Sequence, residues 1–152
     1  MTVTTLLLAV CLALAATSAA WDIRLRRIPN WLCLALAVAA LGFAWADGGA
    51  SALVWGAAHS VIALVVGIGL FALGAIGGGD AKLYAAAALA LPLRAGLSLL
   101  GWTSAAGLVL LIVMIVGNRL FSSTRRSLHE MRKMEVPYGV AIAAGFALAT
   151  LT

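Results

Sequence analysis

The stretch ALVWGAAHSVIALVVGIGLFALGAI, residues 52–76, contains no Asp, Glu, Lys or Arg. A helix of about 20 mostly apolar residues is long enough to cross the hydrocarbon core of a bilayer. The stretch is followed directly by GGGDAKL, residues 77–83, in which an acid and a base stand beside three glycines. It therefore predicts a membrane-spanning helix that ends at a short polar segment, and similar apolar runs occur on both sides of it.

Composition supports the same fold for the whole chain. Of the 152 residues, 64% are hydrophobic and 10% are charged, and the mean hydropathy is +1.12. These values exclude an ordinary soluble domain. Because lipid leaves irregular backbone without hydrogen-bond partners, the prediction is an all-α polytopic membrane protein. Neither a linker nor an internal repeat divides the chain, so we predict a single transmembrane domain over residues 1–152.

Six membrane spans are predicted from the apolar runs and the breaks between them. They are Val3 to Trp21, Trp31 to Ala46, Ala52 to Ile76, Gly79 to Leu93, Leu97 to Val116, and Val136 to Leu151. The fourth has to begin near Gly79, because residues 83–93 alone would rise only about 16 Å against a core of about 30 Å. This places Asp80 in the first turn of that span, at the membrane boundary.

The basic residues predict the orientation, because cytoplasmic loops are enriched in Lys and Arg. If the spans alternate, nine of the ten basic residues fall in three loops on one side of the membrane. They are Arg24, Arg26, Arg27, Lys82, Arg119, Arg125, Arg126, Arg132 and Lys133. The amino terminus is therefore predicted outside, and these three loops are predicted in the cytoplasm.

The amino-terminal apolar run also fits a second interpretation, a secretory signal, since small residues resembling a cleavage site follow it. No positive charge precedes the run, however, and three arginines follow it, which is the reverse of the usual arrangement. A spanning helix is therefore the preferred interpretation.

Charge and cysteine content exclude several other classes. The net charge of +5 is explained by the topology and requires no nucleic acid. Cys11 and Cys33 lie inside apolar spans without CxxC spacing, so they are interpreted as packing residues, and neither a metal nor another cofactor is predicted. The longest polar stretch, residues 118–137, is predicted to form a short interfacial helix facing lipid headgroups.

Two of the five acidic residues stand out by their position. Asp47 lies in a glycine-rich turn, and Glu130 and Glu135 lie among basic residues, where solvated charges are expected. Asp22 and Asp80 instead lie where an apolar span meets the cytoplasmic boundary, a depth at which a carboxylate is costly and marks a functional candidate. Two predicted spans separate them, so both lie on the same face and can meet in space.

Two carboxylates in a partly desolvated site do not both ionise easily, so one holds a proton while the other is charged. This is the arrangement of an aspartic protease, in which one group takes a proton from water and the other polarises the scissile carbonyl. Gly77, Gly78 and Gly79 are then expected to allow positive φ angles and to leave room for an extended substrate. The alternative is that the glycines form a turn and that Asp80 caps the helix that follows.

Three motifs combine this pair with further residues. They are DIRLRRIPN at Asp22 to Asn30, GGGDAKL at Gly77 to Leu83, and VPYGVAIAAG at Val136 to Gly145. Together, over nearly the whole chain, they resemble the type IV prepilin peptidases, most closely the small form associated with tight-adherence pili. The resemblance implies a membrane aspartic endopeptidase with Asp22 and Asp80 as its catalytic pair. Such an enzyme removes basic leaders from prepilins or pseudopilins on the cytoplasmic side of the bacterial inner membrane.

Larger members of that family carry paired CxxC motifs that bind zinc, and they also methylate the new amino terminus. This sequence has no CxxC, so the resemblance implies peptidase activity without N-methylation. The expected partners are the prepilin substrate and the lipid bilayer. The sequence leaves open whether the protein works alone or as a homo-oligomer.

Two basic side chains near the motifs have more than one interpretation. Lys82 either keeps Asp80 charged through proximity or anchors the helix end at the membrane surface. His59 lies well inside the third predicted span, so we expect it to form a hydrogen bond between helices rather than to take part in the reaction.

The remaining motif residues are expected to shape the site. Pro29 and Asn30 are predicted to end the first loop, with Asn30 as the N-cap of the second span. The last span opens with Pro137, Tyr138 and Gly139. Tyr138 is expected at the depth of the two acids, where it either lines the substrate site or acts as an interfacial anchor.

Two other functions are compatible with acids inside a small membrane protein. A proton-coupled carrier also uses them, but its sites usually lie near the midplane of the membrane. A non-enzymatic subunit of a pilus or secretion machine would tolerate neutral residues in place of Asp22 and Asp80. The position of both acids at the cytoplasmic ends of spans favours the peptidase.

Overall fold

The computed structural model describes residues 2–121 and 136–152, and this part of the chain is helical. Its elements are α1 (Val3–Leu25), α2 (Asn30–Ala72), α3 (Gly78–Ala88), a 3₁₀ turn (Leu93–Ala95), α4 (Gly96–Phe121) and α5 (Tyr138–Ala149). The all-α prediction is therefore confirmed for these residues. The predicted interfacial helix rests on residues 122–135 and lies outside the described part.

The first helix continues past its predicted end at Trp21 and reaches Leu25. No glycine or proline interrupts the sequence before Pro29, so the helix continues through the boundary region. It ends where Arg26 adopts a left-handed conformation with φ 52°. The extension places Asp22 in the last turn of α1.

The second helix is a hairpin of two helical arms. Gly48 (φ −149°, ψ 21°) and Gly49 (φ 60°, ψ −145°) are not helical and separate a first arm, residues 30–47, from a second arm, residues 50–72. A positive φ is accessible to glycine without steric cost, which explains why the reversal occurs at this pair. The break predicted between the second and third spans is present at this point.

Contacts with α3 show that the two arms run side by side in opposite directions. On the first arm, Cys33 Sγ lies 4.0 Å from the carbonyl oxygen of Gly79. On the second arm, a Cβ placed on Gly67 would lie 2.9 Å from Cβ of Ala81. A straight helix would hold Cys33 and Gly67 about 50 Å apart. Because both touch the first turn of α3, the chain must fold back between them.

The second arm ends at Ala72, before the predicted end of the third span at Ile76. Gly74 has φ 71°, and its backbone N–H donates to the carbonyl oxygen of Phe71 at 2.9 Å. This turn stops the helix and lets the chain enter α3 at Gly78.

The third helix is shorter than the predicted fourth span and lies at the centre of the bundle. The prediction of Gly79 to Leu93 is too long, because α3 ends at Ala88 and Pro92 then precedes the 3₁₀ turn. With 11 residues, α3 rises about 16 Å and is too short to cross a bilayer by itself. Its buried residues are Ala81, Leu83, Ala85, Ala86, Ala87 and Ala88.

The last two helices complete the bundle around this core. α4 extends beyond both ends of the predicted fifth span, and α5 is shorter than the predicted sixth span because Pro137 forms its N-cap. α5 packs between α1 and α4, while α3 packs against α2. Phe146 of α5, Leu83 of α3 and Leu36 of the first arm meet in one hydrophobic cluster, and each has no exposed surface.

Among the described residues, three helical segments are long and apolar enough to span a membrane: Val3–Leu25, Asn30–Ala72 and Leu93–Gly117. Their outer faces expose large apolar side chains, including Val61, Val65, Leu108 and Val109. An apolar surface of this extent is unfavourable in water and is suited to lipid. The bundle therefore has the surface expected of a membrane protein.

The contact between the second arm and the turn after α3 predicts an effect on stability. A Cβ on Gly56 would collide with the carbonyl oxygen of Leu89. We expect Gly56→Ala to lower the free energy of unfolding in detergent by about 2 kcal/mol. Gly69→Ala is the matched control on the same arm, because no atom lies within 4 Å of its added Cβ. Equal stability of the two variants would contradict this packing.

Candidate active site

Asp22 is held by the amino-terminal end of α5. Its side chain is 7% exposed, and its Oδ2 accepts a hydrogen bond of 2.9 Å from the backbone N–H of Gly139. The first N–H groups of a helix have no partner within the helix, and this end of the helix attracts acidic side chains. Asp22 therefore joins the end of α1 to the start of α5.

The contact between Asp22 and the start of α5 explains the residues found there, Pro137, Tyr138 and Gly139. Pro137 is the N-cap of α5, and Tyr138 is its first residue. A Cβ on Gly139 would lie 3.0 Å from both Cβ and Oδ2 of Asp22. Only a residue without a side chain leaves Asp22 room to approach the helix end this closely.

Asp80 lies in the first turn of α3 and faces an open cavity. Its Oδ2 accepts a hydrogen bond of 3.2 Å from the backbone N–H of Gly77. The side chain is half-buried, and it lies near enough to Asp22 for the two negative charges to interact. The structure thus brings together the two acids that the sequence predicts as a pair.

The three glycines before Asp80 do not have the predicted conformation. Gly77 is extended with φ −75° and ψ 147°, and Gly78 and Gly79 are helical, so the expectation of positive φ is wrong. They instead allow close packing within the protein, since a Cβ on Gly77 would lie 2.8 Å from Oδ2 of Asp80. A Cβ on Gly79 would lie 3.2 Å from Cβ of Ile28. Asp80 does cap the start of α3, as the alternative interpretation predicts, because its Oδ2 accepts the hydrogen bond from the N–H of Gly77.

Lys82 forms a hydrogen bond with the start of α2. Its Nζ donates to Oδ1 of Asn30 at 3.0 Å. The prediction that Asn30 is an N-cap is wrong, because α2 begins at Asn30 itself and Pro29, with φ −62°, occupies the cap position. The amide of Asn30 instead bonds to the lysine that lies two residues after Asp80. Lys82 and Asn30 therefore hold the loop after α1 close to the first turn of α3.

This contact predicts coupling between two distant positions. Asn30→Ala and Lys82→Met each remove one partner, and we expect a double-mutant cycle on the free energy of unfolding to give a coupling of about 0.5 kcal/mol, since the pair is exposed. Lys82→Met keeps most of the apolar stem of the lysine, so the cycle reports mainly on the hydrogen bond. Strictly additive effects would mean that the bond does not form.

An open, mostly apolar groove leads away from Asp80. It has a volume of about 700 Å³ and is bounded by the second arm of α2, by α3, by α4 and by the start of α5. Asp80, Tyr84 and Tyr138 lie at one end, and His59 and Gly96 lie at the other. The second arm and α4 do not pack closely against each other. The groove therefore opens on the side of the bundle that would face lipid.

Tyr84 is a residue of the groove that the sequence analysis missed. It lies four positions after Asp80 on α3, so the two side chains share one face of the helix. The spacing of four residues could have identified Tyr84 from the sequence, but only with the knowledge that α3 is helical and lies at the centre of the bundle. The hydrogen bond between elements predicted for His59 is confirmed, because its Nδ1 lies 3.1 Å from the carbonyl oxygen of Leu91.

The cysteines belong to the core of the bundle. Cys11 and Cys33 are free, buried and part of the main hydrophobic cluster, which confirms their interpretation as packing residues. Within residues 2–121 and 136–152, no group of three His, Cys, Asp or Glu side chains is arranged to hold a metal ion. Of the two candidate acids, Asp80 lines the groove, and Asp22 is buried against the start of α5.

The geometry of the pair defines its possible chemistry. One oxygen of each acid accepts a backbone N–H, that of Gly139 for Asp22 and that of Gly77 for Asp80. Carboxylates that lie close together can share a proton or bind a water molecule between them. One carboxylate can then act as a general base on water while the other, protonated, acts as a general acid on a polar group beside it.

Sequence comparison relates the chain to a known protein family. Residues 6–115, more than half of the chain, match the profile described as the type IV leader peptidase family. The matched region includes Asp22, Asp80 and the glycines that precede Asp80, and it ends before α5. Comparisons with curated proteins and with solved structures gave no match.

Proposed function

Because the chain belongs to the type IV leader peptidase family, we propose that it is a prepilin leader peptidase. Membership implies an aspartic peptidase of the membrane whose substrates are prepilins. In this proposal the protein hydrolyses the peptide bond between the leader and the mature part of a prepilin or pseudopilin. The reaction takes place at the cytoplasmic boundary of a bacterial inner membrane and uses Asp22, Asp80 and one water molecule.

The observation that carries the proposal is the meeting of three helix ends at the two acids. α1 supplies Asp22, α3 supplies Asp80, and α5 supplies the N–H of Gly139 that bonds to Asp22. Asp80 also lines the groove. Two acids held by backbone donors, one of which lines an apolar groove, suit a substrate whose scissile bond is followed by an apolar segment.

The two carboxylates carry out hydrolysis without another reactive group. One, as the anion, takes a proton from the water molecule while the water oxygen bonds to the carbonyl carbon of the scissile peptide. The other, protonated, donates a hydrogen bond to the carbonyl oxygen and stabilises its developing negative charge. The carbon–nitrogen bond then breaks, and the leaving amine receives the proton held by the pair.

The groove accommodates the apolar part of the substrate in this proposal. Its lining is mainly aliphatic, which suits contact with an apolar helix. The site end carries Tyr84 and Tyr138, whose rings have both apolar and polar parts and so suit a boundary between lipid and water. The substrate would enter sideways from the bilayer.

The proposed topology has six crossings with the amino terminus outside. The two arms of α2 account for two crossings, and α3 with the turn that follows it accounts for a short one inside the bundle. Support comes from the basic residues, nine of which would lie on the cytoplasmic side with the acids. Residues 1–152 would then form one domain with a single site.

Two finer assignments also belong to the proposal. The substrate system is the tight-adherence type of pilus, which the combination of motifs at Asp22, Gly77 and Val136 supports. The enzyme cleaves without methylating the new amino terminus, since the sequence carries no CxxC pairs of the kind that accompany that second activity.

The test is reconstitution of the purified chain in liposomes with a candidate prepilin and a methyl donor. We expect mass spectrometry to find the leader and the mature pilin as separate products, cut at one bond, with an unmodified new amino terminus. A methylated product would overturn the second assignment only. An intact prepilin after incubation with folded protein would overturn the proposed function.

A further inference from the structure

His59 is a polar side chain at the end of the groove that lies far from the acids. It is 4% exposed and belongs to the second arm of α2. A polar residue inside a membrane segment is costly and marks a functional candidate. Thr103 and Ser104 also line the groove; a hydroxyl can bond to a carbonyl of its own helix, although Oγ1 of Thr103 has no partner among the described residues. The ring of His59 has no such internal option and depends on its surroundings.

One ring nitrogen of His59 already has a structural role. Its Nδ1 lies 3.1 Å from the carbonyl oxygen of Leu91, and because a carbonyl oxygen only accepts, Nδ1 carries the hydrogen. This bond satisfies a carbonyl in the turn after α3, where lipid offers no donor. In the neutral ring, the other nitrogen, Nε2, then carries no hydrogen and is an acceptor.

Gly96 keeps this acceptor accessible from the groove. It is the first residue of α4 and lines the groove together with His59. A Cβ on Gly96 would lie 3.2 Å from Nε2 of His59, closer than an ordinary contact. Among the described residues, the hydrogen bond of this ring is the one made by Nδ1. Nε2 is therefore an acceptor at the wall of an apolar groove, with space next to it.

The position of His59 relative to the acids follows from the helices. Gly67 on the second arm packs against Ala81, the neighbour of Asp80. From Gly67 back to His59 the helix rises about 12 Å. A helical substrate segment in the groove would therefore bring a residue about eight positions beyond the scissile bond to the level of His59.

We propose that His59 is a specificity-determining residue whose Nε2 accepts a hydrogen bond from a hydroxyl or amide side chain on the apolar segment of the substrate. The polar residue lies about eight positions beyond the scissile bond. The inference rests on the proposed function, because it requires the groove to hold a substrate. The hydrogen bond to His59 fixes the register of the substrate in the groove, because it forms only when the scissile bond lies at the acids.

The test is a serine scan of a prepilin whose apolar segment otherwise contains only aliphatic residues. Single serines are placed at each position from about 4 to 12 residues beyond the cleaved bond, and kcat/KM is measured with the full-length protein in liposomes. We expect one position, or two neighbouring positions on the same helical face, to raise kcat/KM about fivefold over the others. The gain is expected mainly in KM.

Two variants separate recognition from structural support. His59→Asn keeps an amide N–H that can donate to Leu91 but has no atom in the place of Nε2. Gly96→Ala keeps His59 and crowds Nε2 with its added Cβ. Both are expected to reduce the preference for the favoured serine to less than about twofold. The ratio between serine and aliphatic substrates is the readout, because a loss of support for the turn lowers cleavage of both alike.

The outcomes distinguish a failure of the role of His59 from a failure of the peptidase proposal. A flat serine scan with the unaltered protein, while the aliphatic substrate is cleaved, overturns the role of His59 and leaves the peptidase proposal intact. A preference that survives in His59→Asn also overturns it, since Nε2 is then not the acceptor. If no substrate in the panel is cleaved by folded protein, the peptidase proposal fails and the inference fails with it.

Discussion

Asp22→Asn and Asp80→Asn are each expected to slow leader cleavage by about 10³-fold or more. An asparagine has nearly the same shape as aspartate and keeps an oxygen that can accept the backbone N–H of Gly139 or Gly77. It cannot take a proton from water or share one with the partner acid. The measurement is the single-turnover rate of prepilin cleavage by purified protein in liposomes.

The matched control for this pair is Asp47→Asn. Asp47 is exposed and lies beside the reversal in α2, far along the chain from both acids. The same chemical change at Asp47 is expected to alter the rate less than twofold, because an exposed charge contributes little. Normal cleavage by Asp22→Asn or by Asp80→Asn would show that the acid concerned is structural and would overturn the paired mechanism.

Gly139→Ala is expected to reduce kcat by about 10- to 100-fold while the protein remains folded. The added Cβ would lie 3.0 Å from Cβ and Oδ2 of Asp22, so the acid has to move away from the start of α5. A shift of a few tenths of an ångström separates the two carboxylates or breaks the bond from the N–H. The measurement is kcat at saturating prepilin, compared with the thermal unfolding temperature in detergent.

Gly101→Ala is the control for a glycine change in a helix. No atom lies within 4 Å of a Cβ added at Gly101, and we expect kcat and the unfolding temperature to remain the same or to rise slightly. If Gly139→Ala and Gly101→Ala have equal activity, the contact between Gly139 and Asp22 does not position the acid. If the unfolding temperature of Gly139→Ala falls so far that the protein is largely unfolded in the assay, the fall in kcat is explained by loss of folded protein.

The helical fold and the candidate acids could be predicted because each depends on local sequence. Apolar runs between polar breaks identify helices, and the reversal at Gly48 and Gly49 coincides with a predicted break. Asp22 and Asp80 could be selected because acids at the ends of apolar segments are rare and costly. None of these inferences requires knowledge of which helices touch.

The contacts that position the acids could not be predicted because they join residues far apart in the chain. Gly139 and Asp22 are 117 positions apart, and Lys82 and Asn30 are 52 positions apart. The three glycines before Asp80 were expected to provide positive φ, yet they provide space for neighbouring atoms. A glycine in a sequence does not indicate which of these two properties the fold uses.

The predicted length of the fourth span is wrong for a similar reason. Residues 79–93 are apolar enough to continue the helix, and the prediction assumed that each apolar segment must cross the whole membrane. α3 is instead surrounded by protein, and the turn after it is supported by His59, which bonds to Leu91. The sequence predicts that His59 bonds to another element but does not show that its partner is this turn, and this polar support allows a short helix to end inside the bundle.

The most direct test of the central claim is a comparison of the double variant, with Asp22→Asn and Asp80→Asn combined, with each single variant. Single-turnover cleavage of one prepilin is measured over long incubations, so that residual rates can be compared. If the two acids act as one unit on one water molecule, the double variant cleaves about as slowly as either single variant. If the two losses multiply in the double variant, the acids act independently and the paired mechanism is contradicted.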